Sequence, residues 1–125
     1  MSRQRITGDA ASTKQTATAA PTVYNKLTQD DAIIIPAGQA AGTPALTVML
    51  NPNAADGDEI YITDAFGVLA AGTTLVVNGN GNFIADGAAA AATKTYNTAA
   101  TRKHFMFSTQ MQSGGTVNTG TWVSI

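Results

Sequence analysis

The middle of the chain holds the densest group of side chains that could do chemistry. Asp56, Asp58, Glu59 and Asp64 carry the hard oxygen ligands that Ca²⁺ prefers. Their spacing is not that of an EF-hand, because the segment lacks the acid of the third ligand pair and the closing glutamate. Aspartates beside glycines are also typical of turns, where the carboxylate bonds nearby amides. We predict turn-forming carboxylates without a metal, and a calcium site is the alternative.

Hydrolytic chemistry has little support in the sequence. A glycosidase would need two of these acids on opposite sides of a cleft, yet they are close neighbours around a predicted turn. His104 is the one histidine of the chain, and a catalytic triad would need it. No Gly-x-Ser-x-Gly sequence or similar nucleophile context accompanies it. We therefore predict that the protein is not an enzyme and has no cofactor.

Two further motifs could bind phosphates or nucleic acid. Gly79-Asn80-Gly81 is followed by no lysine, as a P-loop would require, so Asn78-Gly79 is better explained as a tight hairpin turn with positive backbone angles. Residues 102–105 read Arg-Lys-His-Phe, a mixture of basic and aromatic groups. The net charge of the chain is −1, whereas nucleic-acid binding favours a concentrated basic surface. We expect no nucleic-acid partner.

The composition favours a small protein that assembles with others. The 125 residues suffice for one domain, but only 6% are aromatic and 12% are charged, about half the usual charged share. A thin core and a neutral polar surface both favour contacts between subunits. No cysteine is present, no apolar run approaches a membrane span of ~20 residues, and no apolar segment follows the basic start as in a secretory signal. We expect synthesis in a cytoplasm and no membrane partner.

Residues 1–29 differ from the rest of the chain. They are rich in Thr, Ala, Ser and Gln and show no helical or strand period. Four basic residues and one acid give this segment +3, whereas three basic residues and seven acids give residues 30–125 a charge of −4. A segment of this composition does not fold alone. We predict an extended N-terminal arm that becomes ordered on an acidic partner surface.

Residues 30–125 show short apolar runs between turn residues. Such runs predict an antiparallel β-sandwich or jelly-roll-like domain. Ile60 and Ile62 should share one face with Tyr61 on the other, while Asp64 bonds the amides of the following turn. The alanines at 88–92 predict a loop or a single helical turn at a crowded place. The predicted strands are 32–35, 45–50, 59–63, 73–77, 82–85, 103–109 and 120–125. The large side chains available for a core are Phe66, Phe83, Ile84, Phe105, Phe107, Trp122 and Ile125.

Two glycine-rich stretches and the last strand form a recognisable pattern. Residues 57–67 read Gly-Asp, a strand and Asp-x-x-Gly; residues 75–87 carry the Gly-x-Gly turn and a further strand; residues 120–125 carry Trp122 in the final strand. Together they resemble a β-module of tailed-bacteriophage virion proteins, and the resemblance covers residues 51–125. It implies a homotrimer on the virion surface, of the kind formed by capsid cement, decoration and head-fibre proteins.

The resemblance and the basic arm together predict a bacteriophage capsid cement or decoration protein. It would bind the outer capsid as a homotrimer, contact the major capsid protein and neighbouring trimers, and stabilise the head. The alternative is a head- or tail-fibre module that recognises the host surface. For attachment to the capsid we predict Arg3, Arg5, Lys14, Val23 and Tyr24. For the trimer interface we predict Phe105, Phe107 and Trp122.

Overall fold

The protein is built from β-strands. The computed structural model describes residues 12–14, 22–25, 32–110 and 120–125, and within these ranges it contains no helix, hence none long and apolar enough to cross a membrane. The strands are β1 (Ser12–Lys14), β2 (Thr22–Asn25), β3 (Ala32–Ile34), β4 (Gly42–Met49), β5 (Glu59–Thr63), β6 (Thr73–Asn78), β7 (Phe83–Ala85), β8 (Thr93–Tyr96), β9 (Arg102–Ser108) and β10 (Thr121–Ser124).

Seven strands were predicted from residue 32 onward, and all seven are confirmed. β8 was missed because its sequence, Thr-Lys-Thr-Tyr, has no apolar alternation. The two N-terminal strands were missed for a similar reason. Strand position is therefore legible in this sequence wherever one face is apolar, since burial of that face creates the two-residue period.

The strands form two sheets that face each other. One sheet has six strands in the order β1-β3-β5-β9-β10-β7, and the other has four in the order β2-β4-β6-β8. From β1 to β8 the chain alternates between the sheets, so that each strand is followed by one in the opposite layer. A single cluster of buried side chains joins the inner faces of both sheets. The predicted all-β sandwich is thus confirmed in its layers.

The predicted antiparallel pairing is wrong for five of the eight strand pairings that the structure describes. β1, β3 and β5 are parallel neighbours, as are β2, β4 and β6 and also β7 and β10. Parallel neighbours need a crossover between them, which in many folds is a helix. Here a strand in the facing sheet serves as the crossover, so short connections suffice. Among the strands that the structure describes, the antiparallel pairs are β5 with β9, β9 with β10 and β6 with β8.

The core contains the large side chains of the middle strands. Ile60 and Ile62 point inward from β5 while Tyr61 is exposed, as predicted. Phe66 and Ile125 were expected in the core, but 62% and 61% of their surfaces are exposed. Both lie outside the strands, so the alternation of side chains between the two faces of a strand does not apply to them. The core members are Ile33, Ile35, Leu46, Val48, Leu50, Ile60, Ile62, Leu69, Leu75, Val77, Ile84, Phe105, Phe107 and Trp122.

The Asn78-Gly79 turn does not make a hairpin. β6 and β7 lie in different sheets, so the turn carries the chain across the core and does not reverse it within one layer. Asn78 accepts a hydrogen bond from the amide of Asn80, and the positive φ angles fall at Asn80 and Gly81. Gly79 is needed for another reason, because an added Cβ would lie 1.8 Å from the carbonyl oxygen of Asn82.

The alanine-rich segment protects a sheet edge. Ala91 exchanges two backbone hydrogen bonds with Ile84 of the edge strand β7, at 2.8 and 3.0 Å. The predicted loop is confirmed, with no helical turn. A segment folded against an edge strand occupies backbone groups that would otherwise pair with another chain.

Candidate functional site

The outer face of the six-stranded sheet carries a group of polar and aromatic side chains. Ile60, Ile62 and Phe105 point into the core, so their strand neighbours Tyr61, Thr63, Arg102 and His104 lie on the opposite face. Register places Tyr61 directly across from His104, and Thr63 across from Arg102. Two adjacent cross-strand pairs thus stand side by side on β5 and β9.

The Tyr61 and His104 rings are stacked and held in place. Their centroids are 3.8 Å apart and the ring planes differ by 15°. Nε2 of His104 lies 2.7 Å from Oε1 of Glu59. An ionised carboxylate only accepts hydrogen bonds, so Nε2 carries the proton and donates it. The stack and the hydrogen bond together leave the His104 ring little freedom to rotate.

A shallow hollow opens beside this stack, with a volume of about 490 Å³. Tyr61 remains 41% exposed. Its partner on the neighbouring strand β3 is the small Ala32, which leaves space next to the phenol ring. Thr63 contributes a buried hydroxyl oxygen without a hydrogen-bond partner. The described residues that line the hollow are Ala32, Tyr61, Ile62, Thr63, Arg102, Lys103, His104 and Ile125.

Two basic residues line the hollow, and their charged groups differ in their partners. The ammonium of Lys103 lies 2.9 Å from Asp86 Oδ2 and is therefore engaged. The Arg102 side chain is exposed, and in the part of the chain that the structure describes its guanidinium has no hydrogen bond or ion pair. The hollow thus combines a rigid aromatic wall, an apolar floor and one cation that is available to bind. This arrangement suits the binding of a ligand.

A second polar cluster joins the two sheets. Asp86 follows β7 of the large sheet, and its Oδ2 accepts hydrogen bonds from Tyr96 of the small sheet at 2.6 Å and from Lys103 of the large sheet. The Lys103 ammonium also lies 5.2 Å from the centroid of the Tyr96 ring. The cluster thus connects the two layers through side chains.

The pKa values of this cluster reflect its partial burial. Burial alone would raise the pKa of Asp86, but hydrogen bonds from Tyr96, Lys103 and Ser124 and the charge of Lys103 outweigh it, so the pKa lies below its ordinary value. The pKa of Tyr96 is raised far above its ordinary value by burial and by the hydrogen bond to the Asp86 carboxylate. Both shifts favour an ionised Asp86 and a neutral Tyr96 near neutral pH.

The acidic residues proposed for calcium serve four separate local roles. Asp64 is fully buried, and its carboxylate accepts hydrogen bonds from the amides of Val68, Leu69 and Ala100. The Asp56 carboxylate accepts a hydrogen bond from the Thr109 amide, and the Asp58 carboxylate accepts one from the Ala55 amide. The Glu59 carboxylate contacts the His104 ring. Among the described residues, no three His, Cys, Asp or Glu side chains come close enough to hold a metal ion. The turn interpretation of Asp64 is confirmed.

The residues predicted for capsid attachment are only partly described. Arg3 and Arg5 lie outside the described residues. Lys14 is the last residue of β1, while Val23 and Tyr24 lie in β2. The Val23 side chain is 57% exposed. Of the predicted arm, the structure therefore describes two strands, one at the edge of each sheet.

The residues predicted for the trimer interface lie inside the subunit. Phe105 and Phe107 have no exposed surface and Trp122 has 3%. Phe107 packs edge-on against Trp122 with ring centroids 5.2 Å apart. Side chains in this position have no surface to offer another copy. Contacts within a trimer would have to use other residues.

Sequence reasoning missed the hollow and the Asp86 cluster. Alternation within β5 and β9 placed Tyr61 on the outer face, but nothing local indicated that β5 and β9 are neighbours. Asp86, Tyr96 and Lys103 lie on three separate segments that meet only through sheet packing. Comparison with protein-family models and with curated proteins found no match.

Proposed function

We propose that this chain is a non-enzymatic structural protein of a bacteriophage virion, a cement or decoration protein that binds the outer capsid as a homotrimer. The observation that carries the proposal is the position of β1 and β2 at the ends of the two sheets. Edge strands present backbone groups that pair with partner chains. The segment that contains them is the basic one, with +3 against −4 for the rest.

The mechanism is mechanical. The basic N-terminal segment lies against acidic surfaces of the major capsid protein and of neighbouring trimers, where opposite charges guide the approach. Exposed Val23 adds apolar contact at the edge of the four-stranded sheet. Three such segments in one trimer multiply weak individual contacts into strong overall binding. The bound trimer bridges capsid subunits and so resists internal pressure.

Matched substitutions at opposite edges of the four-stranded sheet test this proposal. β2 and β8 are the two end strands of that sheet, and Val23 and Thr95 are exposed residues on them. Val23→Asp and Thr95→Asp each add one negative charge. Binding to capsids stripped of the protein is measured by co-sedimentation, with thermal unfolding as a check that each variant is folded.

We expect Val23→Asp to weaken capsid binding by about tenfold or more, while Thr95→Asp binds as the unaltered protein does. Equal binding by both variants, or equal loss, would contradict attachment through the N-terminal edge. Sedimentation equilibrium of the free protein tests the trimer separately. A protein that is monomeric both free and on the capsid would overturn the trimer.

The second candidate function is a fibre module that recognises the host surface. The hollow beside Tyr61 favours it, because an exposed aromatic ring and an available cation are typical of ligand sites. Capsid binding and ligand binding use different surfaces in these two models. Val23→Asp should therefore affect only capsid binding, and substitutions in the hollow should affect only ligand binding.

A further inference from the structure

We propose that the hollow beside Tyr61 binds a small organic anion, a carboxylate attached to a single ring. The inference deepens the second candidate function and does not depend on attachment to a capsid. It follows from three properties of the site: its size, its aromatic wall and the one cation that is available among the described lining residues.

The size of the hollow admits a small organic ligand. Its volume of about 490 Å³ lies within the usual range for small-molecule sites, roughly 300–1,000 Å³. The hollow is bounded by Ala32 and Ile125 on its apolar sides. A ring can pack against the part of Tyr61 that the His104 stack leaves exposed.

The aromatic wall is already in its binding position. Tyr61 is fixed by the His104 stack at 3.8 Å, and His104 is fixed by its hydrogen bond to Glu59. A wall that does not move on binding avoids the entropy cost of ordering side chains, and preorganisation of this kind raises affinity. An exposed tyrosine ring held rigid from one side is thus prepared to receive a ring on its free surface.

The charge of the site selects an anion. Arg102 has a planar guanidinium that matches a carboxylate with two parallel hydrogen bonds. The Lys103 ammonium is bound to Asp86, so Arg102 is the available cation among the described lining residues. Glu59 lies two residues before Tyr61 on the same face, and its carboxylate contacts His104. A carboxylate can therefore enter beside Arg102.

Four probes at equal ionic strength separate the contributions of ring and charge. Sodium glucuronate and sodium benzoate carry both features, glucose carries only a ring, and acetate carries only a charge. The full chain is titrated with each probe, and amide chemical shifts are followed by nuclear magnetic resonance. We expect saturable shifts at Tyr61, Arg102 and His104 with at least one ring carboxylate, and about tenfold weaker binding of glucose and acetate.

The outcome also identifies the source of the ligand. Tighter binding of glucuronate indicates an acidic saccharide, and tighter binding of benzoate indicates an aromatic acid; both support the inference. Acetate binding as tight as that of the ring carboxylates would overturn it, because the site would then be simple ion pairing. Absence of saturable binding by both ring carboxylates would also overturn it.

Two charge-removing variants locate the site. Arg102→Gln should weaken binding of the ring carboxylate by about tenfold or more, since hydrogen bonds to a charged group are strong. Lys94→Gln removes the same charge from β8 in the other sheet and should bind as the unaltered protein does. An equal loss of affinity in both variants would show that net charge controls binding, and it would overturn the proposed site. Arg102 is exposed, so its replacement leaves the core unchanged.

Discussion

The Tyr96 hydroxyl donates a 2.6 Å hydrogen bond to Asp86 Oδ2 and thereby ties the four-stranded sheet to the six-stranded sheet. The same carboxylate oxygen holds the Lys103 ammonium at 2.9 Å. The core between the sheets is formed by apolar packing, which has no direction. This contact is directional, and it adds electrostatic stability that depends on pH.

Asp86→Asn should lower the free energy of unfolding at neutral pH. The pKa of Asp86 is lower in the folded protein than its ordinary value of about 3.9. The ionised carboxylate therefore stabilises the fold above about pH 4, and this stability is lost as the pH falls through the folded pKa. Urea denaturation at pH 7 and pH 3 should show a difference between variant and parent that shrinks at pH 3.

Asp58→Asn is the control for this titration. Its carboxylate accepts an exposed hydrogen bond from the Ala55 amide and does not join the two sheets. A difference between Asp86→Asn and the parent that is as large at pH 3 as at pH 7 would refute the electrostatic role of Asp86. The variant would then act through shape alone.

Asp64→Asn should destabilise the protein by about 2–3 kcal/mol, because hydrogen bonds to a charged acceptor are stronger than those to a neutral one. The buried carboxylate accepts three amide hydrogen bonds, and an asparagine would turn an NH₂ group towards at least one of these donors. Chemical denaturation at neutral pH measures the effect. Asp58→Asn serves again as the control and should cost less than about 1 kcal/mol; equal costs would disprove a special role for the buried site.

Gly79→Ala and Gly72→Ala should have opposite effects on stability. A Cβ at Gly79 would lie 1.8 Å from the Asn82 carbonyl oxygen, so the backbone must shift, at a cost of at least about 1–3 kcal/mol. A Cβ at Gly72 meets nothing within 4 Å, and alanine there should stabilise by up to about 1 kcal/mol by restricting the unfolded chain. Melting temperatures of the two variants test this difference, and a stable Gly79→Ala would contradict the close approach.

Phe107→Ala should cost about 3–5 kcal/mol, the usual result of removing a buried aromatic ring. Phe107 has no exposed surface and packs on Trp122. The Phe107 ring leaves no room for a side chain at position 120, because a Cβ on Gly120 would lie 2.7 Å from the ring. Phe66→Ala is the matched control, since Phe66 is 62% exposed, and should cost little.

The concentration dependence of Phe107→Ala distinguishes a core residue from a subunit contact. If the ring packs within one chain, the loss of stability is the same at every protein concentration. A loss of stability that grows on dilution would indicate that Phe107 does contact another subunit. Thermal unfolding over a hundredfold range of concentration, compared with Phe66→Ala, answers the question.

The amino-acid sequence by itself determined where most strands lie and which faces they bury. Alternation in β5 separated Ile60 and Ile62 from Tyr61, and the residues after Thr63 indicated a turn closed by Asp64. These features depend on neighbours a few residues apart, so they are legible in one sequence. β8 was missed because both of its faces are polar or half-exposed.

Only the tertiary structure decided which strands become neighbours. The same alternating pattern fits parallel and antiparallel partners, and the choice depends on how the whole chain buries its apolar surface. That choice put Tyr61 beside His104, and Tyr96 of one sheet against Asp86 of the other. It also enclosed Phe107 and Trp122 within the subunit. Sites formed by long-range packing leave no local pattern, because their members are brought together only when the two sheets close on the core.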